Sequence, residues 1–153
     1  MRERPGGGPL PAGRSRGIAV YKSFDSYVAE VAEVAIGTKG EVKVERVTIA
    51  VDCGHVINPR LVEMQMESGV IFGLTAALYS RIDIDGSVVK QSNFPDYPML
   101  KLAETPRIET HLVQSTRAPG GVGEPGTPPI APAVANALFV LTGKRLRALP
   151  LVA

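Results

Sequence analysis

Eight of the eleven residues from Pro119 to Pro129 are glycine or proline, and the one charged residue among them is Glu124. No regular helix or strand runs through such a stretch. Proline removes an N–H and fixes φ near about −65°, while glycine weakens regular elements and lets backbone come close to other groups. The chain is therefore divided here by a loop that presents a single carboxylate. Held in place, that carboxylate can serve as a general base. Read from spacing alone, it can equally be a solvated side chain on a structural turn.

Upstream of the loop the pattern is regular. From Tyr27 to Ile36, valines and alanines surround Glu30 and Glu33. After Gly37-Thr38-Lys39-Gly40 come Val42, Val44, Val47, Ile49 and Val51, which predicts a hairpin. The apolar parity changes between Val44 and Val47, so a β-bulge is expected there. Asn58 and Pro59 supply an N-cap and a first helical residue for an apolar helix reaching Tyr79. Gly69 and Gly73 share one face of it, leaving a strip along which another backbone or a ligand can come close. Gln65, one turn before Gly69, is either a surface residue or a group whose amide reads a flat heterocycle.

Further on, Asp85-Gly86 between Arg81–Ile84 and Ser87–Lys90 predicts a second hairpin, and Gln91 to Pro106 reads as an extended loop with aromatic anchors. Ile108 to Val113 is a strand candidate. Thr127-Pro128-Pro129 opens a second apolar helix that Gly143 ends. This order predicts an α+β architecture, with helices packed against a mostly antiparallel sheet. Both helices are apolar almost all round, so both need cover on two faces.

Composition narrows the function. A chain of 153 residues, 44% hydrophobic and 21% charged, fits one domain with a real core rather than a disordered segment. A net charge of +2 makes no field for nucleic acid, and Lys144, Arg145 and Arg147 read as a solvated helix end. No uninterrupted apolar run approaches the roughly 18 residues of a transmembrane segment. Cys53 is the sole cysteine, which excludes an internal disulfide and a cysteine-based zinc site. Asp52, Cys53 and His55 lack the second close pair that a metal site needs, and His111 reads as a surface or satisfied strand residue. Residues 1–16, with Arg2, Arg4, Arg14 and Arg16 among glycines and prolines and no apolar stretch behind them, are expected to be a flexible leading segment rather than a signal peptide. The glycine loop is neither a Walker A motif, since no Gly-Lys-Ser/Thr follows, nor a dinucleotide fingerprint, since no βαβ unit surrounds it.

An ordered run of motifs carries a resemblance. Gly17-Ile18-Ala19-Val20, Phe24, Tyr27-Val28-Ala29, Ala50 to Gly54, Asn58-Pro59, Gln65-Met66-Glu67-Ser68-Gly69, Gly73 to Tyr79, Gln91 to Phe94, Asp96-Tyr97-Pro98 and Gly120 to Pro129 together resemble the end of one large subunit type. This is the molybdopterin-binding subunit of the xanthine dehydrogenase and aldehyde oxidase family, and the likeness is greatest to its isoquinoline 1-oxidoreductase beta-subunit branch. It extends from about Gly17 to Leu149.

The resemblance implies a molybdenum–molybdopterin cofactor, in its cytosine dinucleotide form, held without metal-ligating side chains from this chain. It implies that Glu124 is the base toward a molybdenum-bound hydroxide, which attacks an electron-poor carbon of an N-heteroaromatic or an aldehyde. Gln65 then lies beside the pterin, with Gly69 and the run Gly120, Gly121, Val122 and Gly123 along the cofactor. The resemblance further implies that electrons pass to [2Fe–2S] clusters on a small iron–sulfur partner; the chain itself has no cysteine-rich motif. Family subunits are several times longer, so residues 17–153 are expected to form a partial domain that works with the remainder of the molybdenum-binding subunit. The alternative is a noncatalytic remnant or assembly module. Ser68-Gly69 departs from the more frequent Gly-Gly pair and adds a hydroxymethyl where clearance is expected.

Overall fold

The computed structural model describes residues 8–151. Three long strands, β1 (Arg14–Ser23), β2 (Ser26–Ile36) and β3 (Val42–Asp52), form an antiparallel meander. After helix α1 (Pro59–Leu78) come the two-residue strands β4 (Ile84–Asp85) and β5 (Val88–Val89), then β6 (Arg107–Leu112) and helix α2 (Ile130–Thr142). The main sheet runs β1-β2-β3-β6, with β6 parallel to β3, so the sheet is mostly antiparallel and the α+β expectation holds. The bulge falls where the parity change puts it: Glu33 pairs with Arg46 and Val34 with Val44, leaving Glu45 as the extra residue.

Three details differ from the sequence reading. β1 begins at Arg14, so Arg14, Ser15 and Arg16 belong to the sheet and not to a flexible lead; residues 1–7 of that segment lie outside the described residues. The small hairpin pairs Ile84 with Val89 and Asp85 with Val88, which makes Gly86 and Ser87 its central residues, both with positive φ. The turn is thus one residue later than Asp85-Gly86, because a type I′ turn needs two left-handed residues and only this register supplies them. Between Gln91 and Pro106 the chain makes two short 3-10 turns, Phe94–Asp96 and Leu102–Glu104. Tyr97 anchors this segment through Ser80 Oγ at 2.9 Å, while Phe94 is exposed.

The core lies on one sheet face. Val28, Ala32, Val34, Val47, Ile49 and Val51 bury themselves against Met66, Val70 and Leu74 of α1 and Ile130, Val134 and Leu138 of α2. α2 comes down close on β1 because Gly17 has no side chain; a Cβ there would fall on the Ala133 carbonyl and the Ala137 amide. Ser15 Oγ donates to the Ala137 carbonyl at 2.7 Å and fixes the crossing. Among these apolar groups Glu30 is wholly buried, and neither carboxyl oxygen has a hydrogen-bond partner. Burial alone pushes its pKa up to about 8.

Helix α1 starts as the sequence reads, Asn58 Oδ1 accepting from the Leu61 amide at 3.3 Å with Pro59 at the first position. It has the length and apolarity of a membrane span, yet Val62, Met66, Val70, Leu74 and Ala77 form a continuous buried face. α2 stops at Gly143, which takes the left-handed conformation at φ 71°. The described residues do not cover both helices on both faces: Leu61, Met64 and Phe72 of α1 and Val140 of α2 are exposed.

Candidate functional site

The glycine loop rests on the ends of three strands. His55 N–H donates to the Arg117 carbonyl at 2.9 Å, Gly120 N–H to the Cys53 carbonyl at 2.8 Å and Gly121 N–H to the Phe24 carbonyl at 2.8 Å. Ser26 Oγ closes the set by donating to the Gly121 carbonyl at 2.7 Å. Glycine is needed on both sides of this contact. A Cβ on Gly120 would lie 2.6 Å from Ser26 Oγ, one on Gly121 2.7 Å from Phe24 Cβ, and one on Gly54, already at φ +74°, would fall on the Ala118 carbonyl. The glycines of this half therefore make room for the chain's own turn.

That turn is itself unusual. Phe24 and Asp25 join β1 to β2 with φ of 49° and 59°. Non-glycine residues in this region cost roughly 1–3 kcal/mol each and persist where the surroundings hold them. The loop supplies the hold, through Gly121 on the Phe24 carbonyl and Arg117 Nη1 donating to the Asp25 carbonyl at 3.2 Å. Arg117 also pairs with Asp52 Oδ1 at 2.8 Å, donates to the Asp52 carbonyl at 3.3 Å and lies 5.4 Å from the Tyr27 ring centroid. The Arg117 hydrogen bond, followed by the Gly54 amide, holds the Asp52 carboxyl below the usual range. Sequence reasoning missed Arg117, because its partners lie 65 and 92 residues away and no local motif marks it.

Beyond Gly121 the loop opens. Nothing lies within 4 Å of a Cβ placed on Gly123, and Glu124 is exposed. The amides of Val122, Gly123 and Glu124 donate to no group among the described residues. The chain is caught again at Thr127, whose N–H donates to the Glu124 carbonyl at 2.8 Å and whose Oγ1 donates to the Gly69 carbonyl at 3.3 Å. Glu124 is thus a carboxylate fixed at both ends of its loop and open at the middle.

The glycine strip of α1 receives a backbone. A Cβ on Gly69 would lie 3.1 Å from the Gly126 carbonyl carbon, and one on Gly73 2.8 Å from the Thr127 carbonyl oxygen. Ser68, Gly69 and Phe72 then face Gly123, Glu124, Thr127 and Pro128 across a cleft of about 360 Å³. Gln65 is exposed on α1 but does not line the cleft as it stands. Cys53 is buried, its thiol pKa raised mainly by that burial, and His111 is exposed on β6. No group of three metal-ligating side chains occurs among the described residues.

A larger cavity of about 550 Å³ lies away from the glycine loop, between the start of β3 and Leu100–Pro106. Four of its polar groups pair within it, Arg14 with Glu45 at 2.7 Å and Tyr79 Oη with Glu104 at 2.6 Å. The smaller cleft is the chemical candidate because it brings a carboxylate on the glycine loop together with amides that donate to no group among the described residues.

Such a site offers one carboxylate and backbone amides left open beside Gly123. Backbone amides and a carboxylate of this kind can orient a bound group. The chain belongs to the molybdopterin cofactor-binding domain family, whose model matches residues 14–106, and within it to the xanthine dehydrogenase group. The matched span includes Gln65 and Gly69 and ends before the glycine loop.

The chain is similar to several known proteins over most of its length. Isoquinoline 1-oxidoreductase subunit beta of Brevundimonas diminuta is 41% identical over 140 residues, covering 91% of this chain and 18% of its own length. A membrane-bound aldehyde dehydrogenase of Gluconacetobacter polyoxogenes, named for pyrroloquinoline quinone, is 36% identical over 91% of this chain and 17% of its own length. Among solved structures, the aldehyde oxidoreductase of Desulfovibrio desulfuricans superposes with a TM-score of 0.69 at 29% identity, over 82% of this chain and 14% of that one. The chain thus spans less than a fifth of the length of these proteins.

Proposed function

We propose that this chain supplies the catalytic carboxylate and one wall of the cofactor site to a molybdenum hydroxylase that oxidises N-heteroaromatics of the isoquinoline type or aldehydes. The observation that carries the reading is the placement of Glu124, unpaired among the described residues, in the same cleft as Ser68 and Phe72 on a loop secured at both ends. The bound molybdenum–pterin group, in its cytosine dinucleotide form, would supply the two-electron oxidation chemistry. Gly123 gives it clearance, the amides of Val122, Gly123 and Glu124 offer it donors, and Gln65 stands on the neighbouring turn of α1. Gly120, Gly121 and Gly69 act behind this edge, setting its position through their contacts with the rest of the chain. Glu124 holds and accepts the proton that must leave the attacking oxygen.

The remainder of a molybdenum-binding subunit and a small [2Fe–2S] protein complete the assembly in this reading. Glu124→Gln in the assembled enzyme is expected to lower kcat by about 10²-fold or more while molybdenum content stays unchanged. Near-normal turnover would remove the role assigned to Glu124. Steady-state comparison of an isoquinoline-like ring with an aldehyde, using an artificial electron acceptor, ranks the two substrate classes.

The exposed apolar side chains Ile18 and Val20 of β1 and Leu61 and Phe72 of α1 favour a second reading, a noncatalytic assembly module. A stable complex purified with the partner segments but lacking molybdenum and pterin would support it.

A further inference from the structure

Gly120 and Gly121 hang from two different pieces of chain. Gly120 is bonded to Cys53, just past the end of β3, and Gly121 to Phe24 and Ser26, in and beside the β1–β2 turn. Thr127 holds the far end of the loop on Glu124 and α1, and the near end keeps its place only if those two anchors keep theirs relative to each other. β1 does not neighbour β3 in the sheet, and the hairpin turn projects beyond the last ladder pairs, Ser23 with Ser26 and Tyr27 with Asp52. One side chain spans the gap. The Arg117 guanidinium bonds the Asp25 carbonyl on one side and both the carboxylate and the carbonyl of Asp52 on the other, with the Tyr27 ring beneath it.

We propose that Arg117 is the positioning residue of the catalytic loop, a strut that sets the distance between the two anchors from which the segment carrying Glu124 is suspended. The planar guanidinium suits this, because several N–H groups leave it in fixed directions and can reach two segments at once. A lysine in its place keeps the charge and reaches one segment at a time. Arg117 touches neither the cleft nor Glu124, so its effect on chemistry runs through loop geometry. The proposal rests on Glu124 being the base, and its test separates the two.

The test uses the assembled molybdenum enzyme with Arg117→Ala, Arg117→Lys and, as a milder cut of the same strut, Asp52→Asn. Arg117→Ala is expected to lower kcat by about 10²-fold with KM changed by less than about threefold and molybdenum content unchanged. Hydrogen exchange at the Gly120 and Gly121 amides should rise by about tenfold or more, with the α1–α2 core unaltered. Arg117→Lys and Asp52→Asn should fall between Ala and wild type in both readouts. Unchanged exchange at these two amides in Arg117→Ala overturns the proposal, as does faster exchange with undiminished kcat. Loss of molybdenum with normal turnover per metal also overturns it, since that describes a cofactor-retention role. If Glu124→Gln proves nearly fully active, the base reading fails by itself and the exchange data still decide the strut.

Discussion

Residues 117–121 and residues 122–124 are consecutive in one loop, yet their backbones are used in opposite ways. In the first group the Arg117 carbonyl, both Gly120 and Gly121 amides and the Gly121 carbonyl are bonded to strand ends, and glycines are present because the chain would otherwise collide with itself. In the second the amides point to no partner among the described residues, and the space beside Gly123 is empty. The same residue type therefore has two physical meanings three positions apart. A loop that must hold a reactive carboxylate in register needs one half bound tightly enough that the other half can stay open, since reacting groups must be held close to their productive geometry.

The strongest challenge to that contrast is a pair of alanine substitutions. Gly54→Ala combines a left-handed backbone with a collision on the Ala118 carbonyl, so a loss of about 3–5 kcal/mol of unfolding free energy is expected. Gly123→Ala meets nothing and sits outside the left-handed region, so its effect should stay within about 0.5 kcal/mol. Urea unfolding of the purified chain compares them directly. Equal losses would show that the two halves are not mechanically distinct.

A similar contrast separates two carboxylates. Glu124 is exposed at the cleft, whereas Glu30 is enclosed on β2, paired across the sheet with Ala19 and Ile49 and covered by the apolar α2. Gly17 and Ala19 of β1, Ile49 of β3 and Ile130, Ala133 and Val134 of α2 bring no charge to that face. With a folded pKa of about 8 against 4.5, the folded state keeps a proton that the unfolded state gives up. Stability is then full below about pH 4.5, declines as pH rises and levels off above about pH 8. Glu30→Gln should abolish this slope, so that its stability relative to wild type is about 4 kcal/mol greater at pH 8 than below pH 4.5. Parallel slopes for the two proteins would mean that Glu30 is ionised in the folded state.

What the sequence reveals follows the range of the forces involved. The N-cap of α1, the stop at Gly143 and a bulge between Val44 and Val47 rest on residues close in sequence, and all three could be read from the chain. β1 could not be read from pattern, because its turn residues Phe24 and Asp25 are not the Asn-Gly pair that a two-residue hairpin advertises. The Glu124 loop was legible as a fixed loop from its glycines and prolines, but not what fixes it. Arg117, Asp52 and the Phe24 carbonyl meet only in the folded sheet. Gly69 and Gly73 were legible as a close-approach strip, and the alternatives of ligand and backbone could be separated only when Gly126 and Thr127 appeared against it.

The smallest effect tests the open half from the other wall of the cleft. Ser68 faces Gly123 and Glu124 from the middle of α1, where its hydroxymethyl takes up space that the more frequent glycine would leave free. Ser68→Gly should lower stability by only about 0.5 kcal/mol, the difference in helix propensity, since the residue is exposed and packs no core group. If the cofactor approaches Glu124 through this cleft, the assembled variant should retain molybdenum and pterin at least as well as the wild type, because clearance increases and no donor on the loop is altered. A marked drop in cofactor content at nearly unchanged stability would instead make the Ser68 hydroxyl a direct contact of the bound group, so the cleft would have two working walls rather than one.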